Sequence, residues 1–157
     1  IGAFFVGLSD RGVVALSFEE SEERFLAWLQ RRVSTGVVRE PTKLREVVSQ
    51  VLEYLDGRRK SFTFEYDLRS STPFQRDVLT TVQKVPRGEY LTYGELARRI
   101  GRPGAARAVG QALGSNPIPI LIPCHRVLAS DGSLGGYSGR GGVRTKKALL
   151  RLEGALQ

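Results

Sequence analysis

The apolar positions of this chain fall into short blocks whose spacing changes along its length. Residues 2 to 9 and 12 to 18 form two apolar runs around Asp10-Arg11-Gly12, the pattern of a hairpin. After an acidic stretch, Glu19 to Glu23, the residues Phe25, Trp28 and Leu29 share one helical face. Leu44, Val47, Val48, Val51, Leu52 and Leu55 mark a second helix, with Gly57 at the position of a C-cap. Phe62, Phe64, Tyr66 and Leu68 then alternate as in a half-buried strand. These elements predict a small N-terminal domain of sheet plus helix over residues 1–70.

Beyond residue 70 the pattern becomes mostly helical. Ser70-Ser71-Thr72-Pro73 reads as a linker entering a helix, with Thr72 as N-cap, Pro73 at its first position and Gln75 completing a capping box. Phe74, Val78, Leu79 and Val82 supply its buried face, and Pro86-Arg87-Gly88 turns the chain. Thr92-Tyr93-Gly94-Glu95 is a second capping box, followed by Leu96, Ala97 and Ile100 on one face. Gly101 to Gly104 is a turn, and Ala105 to Leu113 a second short helix. Two short helices joined by a glycine-containing turn form a helix-turn-helix. The fold class expected is α+β: the small N-terminal domain, then a mostly helical C-terminal domain over residues 71–157.

The second of these helices is built of alanine and glycine around one long charged side chain, Arg107. Small residues serve either close packing in the core or close approach to a nucleic-acid groove. In the second case Arg107 enters the duplex alone. The run from Pro117 to Pro123 is apolar and broken by prolines; Ile118 to Ile122 reads as a buried strand that delivers Cys124 to a surface. A glycine-dense stretch from Gly132 to Gly142 lacks the spacing of a phosphate-binding fingerprint. It reads as a loop walling a pocket, with Tyr137 and Ser138 as its functional members. A last helix spans Val143 to Leu152, with Glu153 at its end and Gly154 as C-cap.

Charge sharpens the division. Residues 1–70 carry 11 basic and 11 acidic side chains, whereas residues 71–157 carry 13 basic and 5 acidic, so the whole net charge of +8 lies in the second part. That asymmetry fits a polyanion-binding C-terminal domain better than a merely soluble basic surface. No apolar run reaches the ~20 residues of a membrane-spanning helix. The beginning of the chain lacks the order of a signal peptide, and the absence of methionine implies a trimmed start. A single cysteine excludes an internal disulfide and fits a reducing compartment, so a cytoplasmic location is expected. One cysteine and one histidine cannot build the usual four-ligand zinc site.

The chain's one asparagine, one cysteine and one histidine, Asn116, Cys124 and His125, all lie in the stretch NPIPILIPCHRV. A lone cysteine is either a small buried hydrophobe or a nucleophile. Here His125 and Arg126 bring positive charge that favours a thiolate. Neighbours in an extended chain point to opposite sides, so a proton passing from Cys124 to His125 needs a bridging water. Something must then orient the imidazole. Glu153 is the candidate, because a carboxylate at a helix C-terminus opposes the dipole; the alternative is an exposed glutamate without a role.

The ordered motifs ARAVG (106–110), NP (116–117), PCHRV (123–127), GGYSG and ALLRLEG resemble the O6-alkylguanine-DNA alkyltransferases over residues 72 to 154. Residues 1–70 agree with that family only in general layout. The resemblance implies DNA repair in one irreversible turnover: the alkyl group of O6-alkylguanine in duplex DNA passes to Cys124. It implies that His125 takes the thiol proton through a water, that Glu153 holds the imidazole and that Asn116 fixes the turn before the cysteine. By the same resemblance, Tyr93 is expected to protonate N3 of the leaving guanine, Arg107 to fill the space of the extruded base, and Ala106, Gly110 and Thr72 to meet the DNA. Val127 and Ser138 are expected to contact the base through their backbones, beside Tyr137. It further implies a monomer that needs no cofactor, no metal and no membrane. Two rivals remain at this point. A cysteine hydrolase built on Cys124, His125 and Asn116 would release product steadily. A DNA-binding module would use Cys124 only for packing.

Overall fold

A computed structural model describes residues 3–18 and 21–157. The parts of the expected hairpin and acidic stretch on Gly2, Glu19 and Glu20 lie outside the described residues. The chain divides into two compact units, residues 1–70 and 71–157. It is a mixed α/β protein with six α-helices among the described residues and a small antiparallel sheet.

In the first unit, β1 (Phe5–Ser9) pairs antiparallel with β2 (Gly12–Ser17), with a register shift between Gly7 and Leu8. Helix α1 (Glu22–Arg32) buries Phe25 and Leu29 against Val14 and Ala15, with Phe5, Trp28 and Val37 at the margin. Helix α2 (Pro41–Leu55) is rotated from the expected face. It buries Val47, Gln50, Val51 and Tyr54, while Leu52 remains 48% exposed. The cause is the segment after it: the Tyr54 ring packs on Phe62, and Gln50 exchanges hydrogen bonds with Thr63.

No strand forms over residues 62–68. That segment makes a single bridge, in which Val13 donates to Glu65 O and accepts from Asp67 N, each at 2.9 Å. Along the segment Phe62 stacks on Phe64, and the Phe64 ring meets Tyr66 edge-on. Gly12 makes the bridge possible. With φ at +139°, a Cβ there would lie 2.3 Å from Glu65 O.

In the second unit, α3 (Pro73–Val82), α4 (Tyr93–Arg99) and α5 (Ala106–Gly114) pack around Val78, Leu79, Val82, Leu96, Ala97 and Val109. The box at α4 is complete: Glu95 N donates to Thr92 Oγ1 at 3.1 Å and Thr92 N to Glu95 Oε2 at 2.7 Å. At α3 only half of the expected box forms. Thr72 accepts from Gln75 N, but the Gln75 side chain reaches across to Ala112 O and Ser115 at the end of α5. A tertiary partner has displaced a local one. Strand β3 (Leu91–Thr92) lies parallel to β4 (Val127–Leu128), and α6 (Val143–Leu152) follows the glycine-rich loop. Among the described residues no helix is long and apolar enough to cross a membrane.

The expected strand at Ile118 to Ile122 is instead a tight buried loop, closed by Ile122 N donating to Ile118 O at 2.9 Å. Ile120 adopts φ +73°, a conformation that disfavours β-branched side chains and that the surrounding packing must impose.

Candidate active site

Asn116 holds that loop from inside. Its Nδ2 donates to Ile122 O at 3.1 Å and its Oδ1 accepts from Ile118 N at 2.9 Å, both buried. The loop feeds a single 3-10 turn, Cys124–Arg126. The chain therefore bends where an extended backbone was expected. Cys124 lies on the floor of a cavity and not on an open surface; it is 6% exposed. Burial pushes the thiol up, against the expectation that neighbouring cations would draw it down. The Asn116 side chain and Lys146 oppose that rise without cancelling it. At rest the sulfur is a thiol.

Behind the cysteine, His125 is fully buried. Its Nε2 meets Glu153 Oε1 at 2.9 Å, and its Nδ1 has no protein partner among the described residues. Burial pushes the imidazole below its ordinary range, with Arg126 and Lys146 in the same direction and Glu153 opposing. Glu153 is the C-cap of α6 and is buried, not an exposed exception to the dipole rule. Arg126 accounts for this. It donates from Nη2 to Oε1 at 2.7 Å and from Nε to Oε2 at 2.9 Å, a two-pronged grip on the carboxylate.

The parallel pairing of β3 with β4 sets Tyr93, just after one strand, beside the cysteine turn, just before the other. The Tyr93 phenol is pushed up by burial and by the nearby cysteine, so it stays protonated at neutral pH. Its ring lies 5.7 Å from Lys146 Nζ. Lys146 is buried and donates to Val127 O at 2.5 Å and Gly136 O at 3.2 Å. Burial pushes its ammonium down to about 8. Neither Lys146 nor the Arg126 grip shows as a site residue in the sequence read alone. Helical spacing held one signal: Lys146 shares the face of Leu149 and Leu150.

The cavity, of about 570 Å³, is lined by Tyr93, Ala106, Gly110, Cys124, Tyr137 and Ser138 among the expected residues. Leu113, Ala129, Ser130 and Gly136 also line it. Its size suits one small organic group. The loop wall stands close: at Gly135, φ +65°, a Cβ would lie 3.1 Å from Tyr93 Oη. Asn116, His125 and Glu153 lie outside the cavity lining, grouped around the cysteine turn. Val127 is buried, with its carbonyl engaged by Lys146. Thr72 caps α3, and Arg107 is exposed on the second residue of α5; neither lines the cavity.

The family model described as "6-O-methylguanine DNA methyltransferase, DNA binding domain" matches residues 73–155. The chain belongs to the O6-methylguanine DNA methyltransferase family. A methylated-DNA–protein-cysteine methyltransferase of Mycolicibacterium paratuberculosis is 48% identical over 119 residues, which is 76% of this chain and 70% of that protein. One from Shigella flexneri is 41% identical over 151 residues, 90% of this chain and 83% of that protein. The Mycobacterium tuberculosis OGT, crystallised in complex with DNA, superposes with a TM-score of 0.81 at 38% identity. It covers 99% of this chain and 91% of that one. The buried Cys124 and His125 and the half-buried Tyr93 thus lie within the matched residues 73–155.

Proposed function

We propose that this methyltransferase repairs duplex DNA by moving the alkyl group of an O6-alkylguanine, once and irreversibly, onto Sγ of Cys124. Its family makes it a DNA-repair protein that accepts an alkyl group on cysteine, and the chain has one cysteine. The observation that carries the reading is the placement of Cys124 on the floor of a cavity that also holds the Tyr93 phenol, with the His125–Glu153 pair behind it.

The chemistry is a displacement at carbon. The Sγ–C bond forms as the C–O6 bond breaks. The thiol proton passes through a water to Nδ1 of His125, the nitrogen left open by the bond of Nε2 to Glu153. Tyr93 donates its hydroxyl proton toward N3 of the departing guanine, which stabilises the charge leaving with it. Asn116 keeps the turn that carries the sulfur. The alkylated base must leave the stack to reach this cavity, and Arg107 on α5 fills the space behind it. Ala106 and Gly110 let α5 approach the DNA, Thr72 contacts a phosphate, and Val127, Tyr137 and Ser138 hold the base. The basic excess of residues 71–157 supports that half as the DNA-binding domain, with residues 1–70 as a separate domain. We place the protein in the cytoplasm, on the nucleoid when bound, and as a monomer.

Intact-mass measurement after mixing with a duplex containing O6-methylguanine tests this directly. One methyl group per chain, mapped to the peptide containing Cys124, is the expected result. Cys124→Ser should bind DNA and gain no mass. Transfer retained in that variant, or product released over many turnovers, would remove the proposal.

A further inference from the structure

We propose that Arg126 is a positioning residue of the relay, whose charge on the Glu153 carboxylate keeps His125 neutral until the thiol proton arrives. The inference rests on the reading of His125 as the proton acceptor and adds how that acceptor is kept ready.

The geometry is that of one carboxylate shared by two cations or near-cations. Glu153 Oε1 accepts from His125 at 2.9 Å and from Arg126 Nη2 at 2.7 Å, and Oε2 accepts from Arg126 Nε at 2.9 Å. The third arm of the guanidinium, Nη1, donates to Val85 O at 2.6 Å. The Arg126 fork thus ties the cysteine turn to the end of α6 and to the turn after α3. All three partners are out of water: the side chains of His125 and Glu153 are 0% exposed and that of Arg126 10%.

A bare carboxylate 2.9 Å from a buried imidazole would draw a proton onto it. The result would be an imidazolium formed before any substrate arrives, with no lone pair for the thiol proton. The guanidinium counters that charge on both oxygens. Nε2–H still donates to Glu153, so the tautomer is fixed with Nδ1 as the open base. Other charges facing His125 act in the same direction: Lys146 comes from α6, beside the Cys124 thiol of the same turn. Arg87, in the turn after α3, is engaged with Leu152 O at 2.7 Å. Burial and Arg126 lower the imidazole, and Glu153 alone raises it.

The chain's single histidine makes the test clean, because its ring resonances are the only ones of their kind. His125 is titrated by NMR on the DNA-free protein, and single-turnover transfer is followed from pH 5.5 to 9 on a duplex containing O6-methylguanine. In Arg126→Gln the His125 titration should move up by about one to two units, the scale of one close charge on a buried group. The ratio of transfer rates at pH 8.5 and pH 6 should rise about tenfold over the unaltered protein, because protonated His125 cannot act as base. Arg126→Lys should restore the titration and only part of the rate. An unmoved or lowered titration, or a rate loss equal at all pH values, would reduce Arg126 to a structural tie. If Arg126→Gln does not fold, Arg126→Met, which keeps the Glu153 carboxylate and most of the stem, is titrated in its place. Losing the guanidinium should again raise the titration, and an unmoved value would overturn the proposal. The titration needs no reaction, so its result is separable from whether Cys124 is the acceptor.

Discussion

Leu91 pairs with Val127 in a parallel strand pair only two residues long, and this pairing brings Tyr93 and Cys124 to one cavity. The two residues are separated by the whole helix-turn-helix in sequence. Their meeting sets the phenol and the thiol in the lining of one small cavity, where the proposed transfer has its acid and its nucleophile.

Tyr93→Phe keeps the ring that lies over Lys146 and deletes the hydroxyl. Transfer should slow by roughly 10²-fold, the typical worth of one positioned proton donor, with little change in duplex affinity. Single-turnover kinetics beside fluorescence anisotropy separates the two. An unchanged rate would show that guanine departs without help from the phenol.

Arg107 is exposed and lies outside the cavity lining, and the proposed function sends it into the duplex. Arg107→Ala should slow transfer more than it weakens binding to undamaged duplex. If both fall equally, and the salt dependence of binding drops by about one phosphate contact, Arg107 belongs with the backbone contacts instead.

Burial first, with Arg126 and Lys146 in the same direction, pushes the His125 imidazole below its ordinary value near 6.5. Below that pH the unfolded chain binds a proton that the folded chain refuses, so stability present above about 6.5 is lost as pH falls. Urea unfolding should show the midpoint declining from pH 7 to pH 5, by up to about 1.4 kcal/mol per pH unit from this group. In His125→Gln the decline over that window should be shallower. Asp67, gripped by Arg69, is pushed below the usual carboxylate range and loses its contribution only at more acid pH.

Gly12→Ala tests the packing of the first unit. A Cβ would sit 2.3 Å from Glu65 O on a backbone at φ +139°. The expected cost is about 2–4 kcal/mol, from strain and overpacking together, read by urea unfolding. A change below the error of the measurement would mean that the 62–67 segment moves away freely.

Much of this was legible in the letters because it is local. The Thr92–Glu95 box depends on residues three apart, and it formed as read. The buried faces of α3 and α4 follow from helical periodicity alone. Where the reading failed, a distant partner intervened. Gln75 left its own helix end for Ala112 and Ser115. Leu52 faces solvent because Tyr54 and Gln50 turned α2 toward Phe62 and Thr63. Arg126 read only as a charge favouring a thiolate, and Lys146 as one more cation of the last helix, since no local pattern shows that a cation will meet a buried carboxylate or carbonyl.

By itself the sequence determined the family and the inventory from which a site can be drawn: one cysteine, one histidine and a basic half. Covalent type and near-neighbour spacing are properties of the chain, and folding does not alter them. Only the tertiary structure decided which nitrogen of His125 is open, which cation grips Glu153, and that the sulfur rests as a protonated thiol at the bottom of a cavity. Those depend on burial and on charges brought together from far along the chain, and an ionisable group has no fixed state until both are set.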